Sequence, residues 1–573
     1  MFEKEYDKWL GGVKYQELKD DLISVKGNDK EIEYRFGKTL DFGTAGMRGI
    51  LGAGTNMMNV YTVIKATQGL ANYIKTLGKA AMDKGVVISY DTRKNSELFA
   101  LCSAGVLSEN EITVYIYDDV RPVPMLSFGV RNHKATAGIM ITASHNPKEY
   151  NGYKVYGEDG AQMSPEATDK VVGYINSCED YFDIKYKRFE SVNGINDKFV
   201  HIIGRETDEQ YYAELLKLTL SDEAVKRVGK DIKLVYTPVH GSGFVPVTTI
   251  LTRLGINATV VEEQTKKDVN FSTVKLPNPE FKETLTMGIN LADKLGADVV
   301  FGTDPDCDRL GVAVRNDKGE FIALNGNQTG ILLLDYVLRR LKEENALPKN
   351  AMVVKSFVST ALAKKIADDY GVELFDVPVG FKFIGEKIHQ SEIDSKHTFV
   401  FGFEESCGYL RGTHARDKDA VVASMLFAEM VCYYNYIGGS VYKRLTEIYA
   451  KYGYFKDVNV SKAFSGLYAM DEMNAVVEKL RKKTVDKIGD VKVVATRDYE
   501  RGTRRTDDGA IEMLDNDGIN CLLYELDGGG FVCVRPSGTE PKLKVYYSVK
   551  AKDEKDGEIR LENIKNAFEK IVY

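Results

Sequence analysis

Residues 297–309 read Ala-Asp-Val-Val-Phe-Gly-Thr-Asp-Pro-Asp-Cys-Asp-Arg, an apolar stretch followed by three aspartates. The apolar part predicts a buried strand, and Asp304, Asp306 and Asp308 stand at a spacing of two just beyond it. If the backbone stays extended, side chains at this spacing point to one side, where their like charges repel. A cation relieves that repulsion, and carboxylate oxygens suit Mg²⁺, Ca²⁺ or Mn²⁺. The stretch therefore predicts a metal site at the end of a strand, with a solvated acidic loop as the alternative.

Several other classes of site are excluded because their sequence motifs are absent or incomplete. An EF-hand loop also begins with this aspartate spacing, but it needs Gly sixth and Glu twelfth, where Arg309 and Arg315 stand here. The sequence contains no Walker A pattern, no G-x-G-x-x-G opening a helix and no H-E-x-x-H. It also lacks G-x-S-x-G around Ser144, which counts against an α/β-hydrolase.

Length and composition are typical of a globular protein. A length of 573 residues predicts about four domains. The net charge of −7 and sequence pI of about 5.8 do not favour a nucleic-acid partner. The apolar run Ala420–Tyr436 contains Glu429 and Asn435, so we interpret it as a core helix and expect no membrane span. The seven cysteines form no CxxC pair, and with no signal-peptide pattern they indicate reduced thiols in a cytoplasmic protein.

Strand-like and helix-like runs alternate through most of the sequence, for example strand 86–90 before helix 96–109. This alternation predicts an α/β fold with largely buried sheets. The final segment carries four strand-like runs and a closing helix, which indicates a smaller α+β domain. We predict four domains at 1–205, 206–325, 326–453 and 454–573.

A second loop with chemical potential, Thr142–Pro147, follows the predicted strand that begins at Ala137. Ser144 at a strand exit beside His145 has the composition of a nucleophile loop. Ser and Asn are also common turn residues, so a plain polar turn remains the alternative. In open α/β sheets, ligands bind beyond the carboxyl ends of strands, which is where this loop lies.

Three further loops are rich in groups that bind anions or hydroxyls. Arg535, Ser537, Thr539 and the backbone around Gly538 offer a cradle for phosphate, with a plain turn as the alternative. The Glu and Ser oxygens of residues 402–408 suit sugar hydroxyls or form a simple acidic turn. The glycines of residues 43–49 let the backbone approach a ligand, and Arg48 beside them suits an anion.

Together these loops resemble the α-D-phosphohexomutase superfamily, which contains phosphoglucomutases and phosphomannomutases. The matching stretches, in order, are GTAGMRG at 43–49, TASHNP at 142–147, DPDCDR at 304–309, GFEES at 402–406 and RPSGTEP at 535–541. The stretch ARDKD at 415–419 is similar to the longer, phosphoglucomutase-2-like branch. The resemblance implies a heart-shaped enzyme in which three α/β domains and a smaller C-terminal domain surround a central cleft. Members use Mg²⁺, a phosphoserine and a sugar 1,6-bisphosphate intermediate.

The resemblance also implies roles for individual residues. Ser144 is the expected phosphoserine and a metal ligand together with Asp304, Asp306 and Asp308. The other expected catalytic residues are His145 and Arg309 flanking the phosphoryl group, Lys154 as proton carrier, and Arg48 near the phosphoserine. The expected substrate-binding residues are Lys382, Glu404 and Ser406 for the sugar, and Arg535, Ser537, Gly538 and Thr539 for the phosphate that is not reacting.

The substrate implied by the resemblance is a small phosphosugar. The E-E-S loop ending at Ser406 is similar to glucose-using members, which predicts a phosphoglucomutase with glucose 1,6-bisphosphate as intermediate. Phosphopentomutase and phosphomannomutase of the same fold are the alternatives. A non-catalytic phosphosugar-binding protein and a metal-dependent phosphatase are hypotheses from other classes. We expect a monomer or a homodimer.

Overall fold

The computed structural model describes residues 2–43, 46–464, 469–514, 518–537 and 542–572. The protein forms two compact units. The first comprises Met1–Ala323, Gly385–Ile393 and Gly408–Tyr436, and the second comprises Leu324–Ile384, Asp394–Cys407 and Ile437–Tyr573.

The first unit opens with a seven-stranded mixed sheet. Its helices are α1 Phe2–Gly12, α2 Gln16–Ser24, α3 Asp29–Phe36, α4 Val60–Thr76, α5 Lys79–Lys84, α6 Ser96–Glu109, α7 Val123–Asn132 and α8 Pro165–Ser177. Its strands are β1 Phe42–Gly43, β2 Gly46–Ile50, β3 Val86–Tyr90, β4 Val114–Tyr117, β5 Ala137–Ile141, β6 Tyr150–Gly157 and β7 Val200–Ile203. They lie in the order β1-β2-β6-β5-β3-β4-β7, with β5, β3, β4 and β7 parallel. The central β3 and β5 are wholly buried, as their continuous apolar sequences predict.

No helix or strand is predicted before residue 86, yet the protein has three helices at its N-terminus. Trp9, the one tryptophan of the sequence, is fully buried there and packs edge-on against Phe36, Tyr61, Tyr181 and Phe182. These contacts join the N-terminal helices to α4, to which Tyr61 belongs.

A five-stranded sheet follows in the same unit. Its helices are α9 Arg205–Leu216, α10 Asp222–Val228, α11 Phe244–Leu254 and α12 Thr286–Leu295. Its strands are β8 Leu234–Thr237, β9 Ala258–Val260, β10 Val299–Thr303, β11 Leu310–Arg315 and β12 Phe321–Leu324, in the order β12-β11-β10-β8-β9. Strand β10 is the buried strand predicted before the aspartates, and its partner β11 returns antiparallel directly after them.

The next elements run from residue 326 to residue 452. The helices are α13 Gly326–Glu343, α14 Leu362–Asp369, α15 Phe381–Asp394, α16 Ala420–Tyr436 and α17 Val441–Tyr452. The strands are β13 Ala351–Ser356, β14 Glu373–Val377, β15 Thr398–Glu404 and β16 Gly408–Leu410. In the second unit, β13 pairs in parallel with both β14 and β15.

Helix α16 belongs to the first unit, where it packs against α10 and α11. Residues 420–434 are buried, which confirms the predicted core helix. Its Glu429 accepts hydrogen bonds from the backbone N–H groups of Leu220 and Ser221 at the start of α10. No single helix within the described ranges is long and apolar enough to cross a membrane; α16 and α17, which are bent apart, pass that test only as a pair.

The second unit ends in a large antiparallel sheet. Its helices are α18 Ala469–Arg481 and α19 Glu554–Val572. Its strands are β17 Tyr454–Ala463, β18 Lys487–Ile488, β19 Val491–Asp498, β20 Thr503–Thr506, β21 Ile511–Met513, β22 Leu522–Leu526, β23 Gly530–Pro536 and β24 Lys542–Ala551. The order is β17-β24-β23-β22-β19-β20-β21, with β18 beside β19. One face of the sheet packs on α19 through Tyr524, Tyr547 and Phe568.

Candidate active site

The three predicted metal ligands lie together in the first unit. Asp304, Asp306 and Asp308 are buried, and one oxygen from each lies within 4.8 Å of the others. The expected extended backbone is wrong, because the loop is a tight turn in which Cys307 N–H donates to Asp304 C=O at 2.9 Å. Cys307 has a left-handed φ of +49°, and Asp304 Oδ1 accepts the backbone N–H groups of Asp308 and Arg309. The carboxylates converge through this turn rather than through strand alternation.

A neighbouring loop from the end of β8 supports the metal loop. Ser242 donates from its backbone N–H and its hydroxyl to Pro305 C=O, both at 2.8 Å. A Cβ added at Gly241 would lie 2.6 Å from Pro305 Cα, so only glycine fits at this close approach. This support holds the aspartates in place without using their carboxylates.

The electrostatics of the aspartates favour a bound cation. Burial and the charges of the neighbouring carboxylates raise the pKa of Asp304 and Asp308. Burial acts in the same direction on Asp306, but the Lys154 ammonium holds the pKa of Asp306 below its usual value. Asp306 Oδ1 and Asp308 Oδ1 are buried and accept no hydrogen bond from any residue that the structure describes. Two orphaned carboxylate oxygens beside Asp304 fit a hard divalent cation.

Ser144 lies at the aspartates, although 160 positions separate it from Asp304. Its Oγ donates to Asp304 Oδ2 at 2.8 Å and lies 3.2 Å from His145 Nδ1. The residue has a left-handed φ of +51°, and its backbone N–H donates to Thr142 Oγ1 at 2.8 Å. An unusual backbone conformation stabilised in this way is common at functional sites. The structure therefore brings the predicted nucleophile to the predicted metal ligands.

Arg93 holds the Ser144 loop, and the sequence analysis missed it. Its buried guanidinium donates to the backbone C=O groups of Ser144 at 2.5 Å and Asn146 at 2.6 Å. It also donates to the C=O groups of Pro147 and Tyr150 at 2.9 and 3.2 Å. The Asp91 carboxylate accepts the Arg93 backbone N–H and the Thr142 hydroxyl. The only available signal was the short polar stretch Asp91-Thr92-Arg93 after strand β3.

The remaining predicted catalytic residues surround the same loops. Burial and the guanidinium groups of Arg309 and Arg48 lower the pKa of His145 well below its usual value, so its imidazole is neutral. Arg48 donates to Asn146 Oδ1 at 2.8 Å, within the Ser144 loop. Arg309 forms an ion pair with Glu280.

Two lysines face the carboxylates. Lys154, on β6, places Nζ 3.0 Å from Asp306 Oδ2 and 3.8 Å from Asp308 Oδ2. Lys418 Nζ lies 3.2 Å from Asp308 Oδ2, a contact that the sequence analysis did not predict. The signal for Lys418 was the ARDKD stretch, which was used only for the resemblance.

The ARDKD stretch is anchored by a different partner at each charged residue. Arg416 is fully buried and pairs with Glu392. Asp417 accepts the Tyr156 hydroxyl at 2.9 Å. Asp419 accepts the Tyr211 hydroxyl at 2.8 Å and two backbone N–H groups at the start of α16. Lys418 is therefore held between two rigid neighbours.

The predicted substrate-binding residues lie in the second unit. Glu404 ends β15 and accepts the Ser406 hydroxyl at 2.9 Å, so these two residues are neighbours as expected. Lys382 is the second residue of α15. Arg535 lies near the end of β23, and Ser537 follows it with its backbone N–H donating to Lys542 C=O. Gly538 and Thr539 lie outside the described residues.

Comparison with protein families matches four consecutive domains. The family described as phosphoglucomutase/phosphomannomutase matches with its α/β/α domain I at 39–182, domain II at 209–319, domain III at 325–452 and C-terminal domain at 472–565. These matches confirm the predicted superfamily and the four-domain α/β fold.

Individual relatives match over nearly the whole sequence. The phosphoglucomutase of Staphylococcus haemolyticus is 35% identical, and the match spans 95% of the present protein and 96% of that relative. The phosphoglucomutase of Staphylococcus saprophyticus is 36% identical, and the match spans 95% of the present protein and 96% of that relative. These names agree with the glucose-using branch predicted from Ser406 and do not favour the pentose or mannose alternatives.

Two solved structures share the fold at low sequence identity. One is a phosphoglucomutase/phosphomannomutase family protein from Burkholderia thailandensis, with TM-score 0.65, 17% identity and coverage of 91% and 95%. The other is the open form of parafusin, a phosphoglucomutase from Paramecium, with TM-score 0.65, 17% identity and coverage of 92% and 96%.

Proposed function

Because this protein belongs to the phosphoglucomutase/phosphomannomutase family, we propose that it interconverts α-D-glucose 1-phosphate and glucose 6-phosphate through phosphorylated Ser144. The observation that carries this proposal is the 2.8 Å hydrogen bond from Ser144 Oγ to Asp304. It places a hydroxyl that can carry phosphate beside three buried carboxylates. The enzyme is an isomerase of the mutase type, as its relatives are.

We assign the metal site to Asp304, Asp306 and Asp308, with a Ser144 phosphate oxygen as a further ligand. Mg²⁺ bound there would neutralise negative charge on the transferring phosphoryl group. The orphaned oxygens of Asp306 and Asp308 support this assignment. Arg309 and Arg48 would add positive charge that also stabilises the phosphoryl group. Phosphoryl transfer depends mainly on such positioning and charge stabilisation.

The reaction needs a group that moves the proton of the accepting sugar hydroxyl. We assign this role to Lys154, whose buried ammonium lies among the site carboxylates. His145, held neutral by its surroundings, would orient the phosphoryl group as a hydrogen-bond donor instead of adding charge. Lys418, whose Nζ lies 3.2 Å from Asp308 Oδ2, would offset part of the negative charge of the carboxylates.

Recognition of the substrate is assigned to residues of the second unit. Glu404 and Ser406 offer adjacent oxygens to sugar hydroxyls, and Lys382 adds a cation. Arg535, Ser537, Gly538 and Thr539 would hold the phosphate that is not reacting. A phosphate is nearly symmetric, so one such cradle accepts either end of glucose 1,6-bisphosphate. The intermediate can then present each phosphate to Ser144 in turn.

A coupled assay tests the proposal. Purified protein is incubated with glucose 1-phosphate, Mg²⁺ and a trace of glucose 1,6-bisphosphate while glucose 6-phosphate is measured. Formation that requires both additions supports the mutase, whereas release of inorganic phosphate in equal amount would indicate a phosphatase. Higher turnover on ribose or mannose 1-phosphate would contradict the preference for glucose.

Variants of two serines test the phosphoryl relay. Ser144→Ala removes the group that carries phosphate, so turnover should fall roughly a thousandfold or more. Ser164→Ala is the control, since Ser164 is exposed and only caps α8. Wild-type turnover by Ser144→Ala would refute the relay.

A further inference from the structure

Two cysteines of the second unit lie in direct contact. Cys521 and Cys533 are free thiols with no exposed surface, and their Sγ atoms lie 3.2 Å apart. The established disulfide bond length is about 2.05 Å, so the sulfurs need to approach by only about 1.2 Å to bond. Nothing in the proposed reaction uses either thiol.

The pairing follows from the geometry of strands β22 and β23. Leu523 pairs with Cys533 across this antiparallel ladder, and Cys521 lies two residues before Leu523. Side chains two apart share a face of a strand, so both cysteines face the same side. They belong to one apolar cluster with Phe357, Val358 and Tyr499, within the second unit.

We propose that Cys521 and Cys533 are a modification site at which peroxide forms a disulfide. We also propose that this disulfide form of the protein, the closed form, binds phosphosugar more weakly. The first part stands on the contact between the two sulfurs. The second part rests on the proposed function, because it concerns phosphate binding by Arg535, near the end of β23.

The reaction balances with hydrogen peroxide as oxidant. One cysteine sulfur, as thiolate, attacks a peroxide oxygen, the O–O bond breaks and a sulfenic acid and water result. The second sulfur then attacks the sulfenic sulfur, the S–O bond breaks, and water leaves as the S–S bond forms. In total two thiols and one peroxide give one disulfide and two waters, with each sulfur oxidised by one electron and each peroxide oxygen reduced by one.

The disulfide would act on the phosphate-binding loop through a short path. Cys533 stands two residues before Arg535 on the same strand. On the other side, Cys533 pairs with Tyr546 of β24, whose hydroxyl interacts electrostatically with Arg535. Drawing Cys533 toward Cys521 would therefore shift the backbone that carries Arg535 and the neighbouring strand that carries Tyr546. A displacement of about 1 Å would lengthen a hydrogen bond from Arg535 to phosphate beyond the normal range, so the phosphosugar would bind more weakly.

Formation of the disulfide between Cys521 and Cys533 should be slow under mild oxidising conditions. Burial raises the pKa of the Cys533 thiol well above its ordinary value, which disfavours the reactive thiolate. Peroxide must also reach sulfurs that have no exposed surface. The modification is therefore expected over long exposure rather than within seconds.

The experiment treats the full-length reduced protein with hydrogen peroxide over a time course. Non-reducing peptide mapping measures the 521–533 linkage, and glucose 1-phosphate kinetics measure KM and kcat before and after dithiothreitol. Cys521→Ala is the test variant, with Cys521→Ser as a second variant if the first folds poorly. Cys178→Ser is the matched control, since Cys178 is the partly exposed cysteine of the other unit.

We expect the linkage to form with a KM increase of roughly tenfold, as for the loss of one hydrogen bond between charged groups. Both should reverse with dithiothreitol, be absent in the Cys521 variants and persist in Cys178→Ser. No linkage after prolonged exposure, continued well beyond complete oxidation of Cys178, would overturn the site. A linkage with unchanged KM, or an equal KM increase in the Cys521 variants, would overturn its effect on binding. Inactivity of the untreated reduced protein toward every phosphosugar would instead refute the proposed function, and the peptide map would still test the disulfide.

Discussion

Replacing Arg93 with lysine tests whether the Ser144 loop owes its geometry to one guanidinium. Arg93 donates to four backbone carbonyl groups between Ser144 and Tyr150. A lysine keeps a positive charge near Asp91, so the buried carboxylate stays paired and the fold should survive. Its single ammonium lacks the planar fork, however, and cannot span all four carbonyls.

The stability that the Ser144 loop loses in Arg93→Lys can be estimated from the hydrogen bonds of Arg93. A bond from a charged donor contributes about 1.5–3 kcal/mol, and we expect the lysine to lose at least two of the four. The loop is then destabilised by at least about 3 kcal/mol, counted at the lower value for each bond. If the whole of this free energy appears as a higher activation barrier, because Ser144 is misplaced, kcat falls by roughly a hundredfold.

Two measurements check this expectation. The kcat of Arg93→Lys on glucose 1-phosphate should fall while KM changes little, because the substrate-binding residues are untouched. Amide hydrogen exchange across residues 142–150 should accelerate at the same time. Arg315→Lys is the matched control, since Arg315 also donates to backbone carbonyls, those of Ala297 and Gly319, at the far end of β11. A kcat within about twofold of wild type with unchanged exchange would refute the reasoning.

Three further predictions concern the metal, the phosphate and a half-buried acid. Asp306→Asn removes a negative charge from the proposed metal site, so the Mg²⁺ concentration for half-maximal activity should rise roughly tenfold or more, and an unchanged Mg²⁺ titration would contradict that site. Arg535→Ala should raise KM for glucose 1-phosphate while the thermal midpoint stays near wild type; unchanged KM would contradict the phosphate role. Burial raises the pKa of Asp457 to about 6, above the unfolded value, so its stabilising proton is lost as pH rises through about 6. Asp457→Asn should therefore stabilise the protein by up to about 3 kcal/mol at pH 8 and by little near pH 4, as thermal unfolding at both pH values would show.

Secondary structure was most predictable where the signal is local. Helix Ser96–Glu109 and strand Val86–Tyr90 begin and end where the sequence pattern predicts. By contrast, β6, Tyr150–Gly157, was not predicted, although it carries Lys154. Its glycine and polar residues give no clear alternation, and it forms a strand because β2 and β5 pair with it on both sides.

The metal loop shows how the right grouping of residues can be predicted from a wrong conformation. The aspartate spacing was read as strand alternation, yet Cys307 turns the backbone with a positive φ. A positive φ at a non-glycine residue depends on surrounding contacts, here the loop containing Gly241 and Ser242. The residue types indicated the chemistry, and the packing set the geometry.

Residue types and their spacing were enough to predict the family and to select the short stretches to which we assign the chemistry, because each motif is contiguous and suits a metal, a phosphate or a sugar. They were also enough to predict the α/β alternation, since hydrophobic periodicity is a property of neighbouring residues. Folding was needed to show that Ser144 meets Asp304, that Arg93 supports the Ser144 loop and that Lys418 contacts Asp308. Such contacts join residues far apart in the sequence, so they follow from how sheets and loops pack and leave no periodic trace in the order of residues.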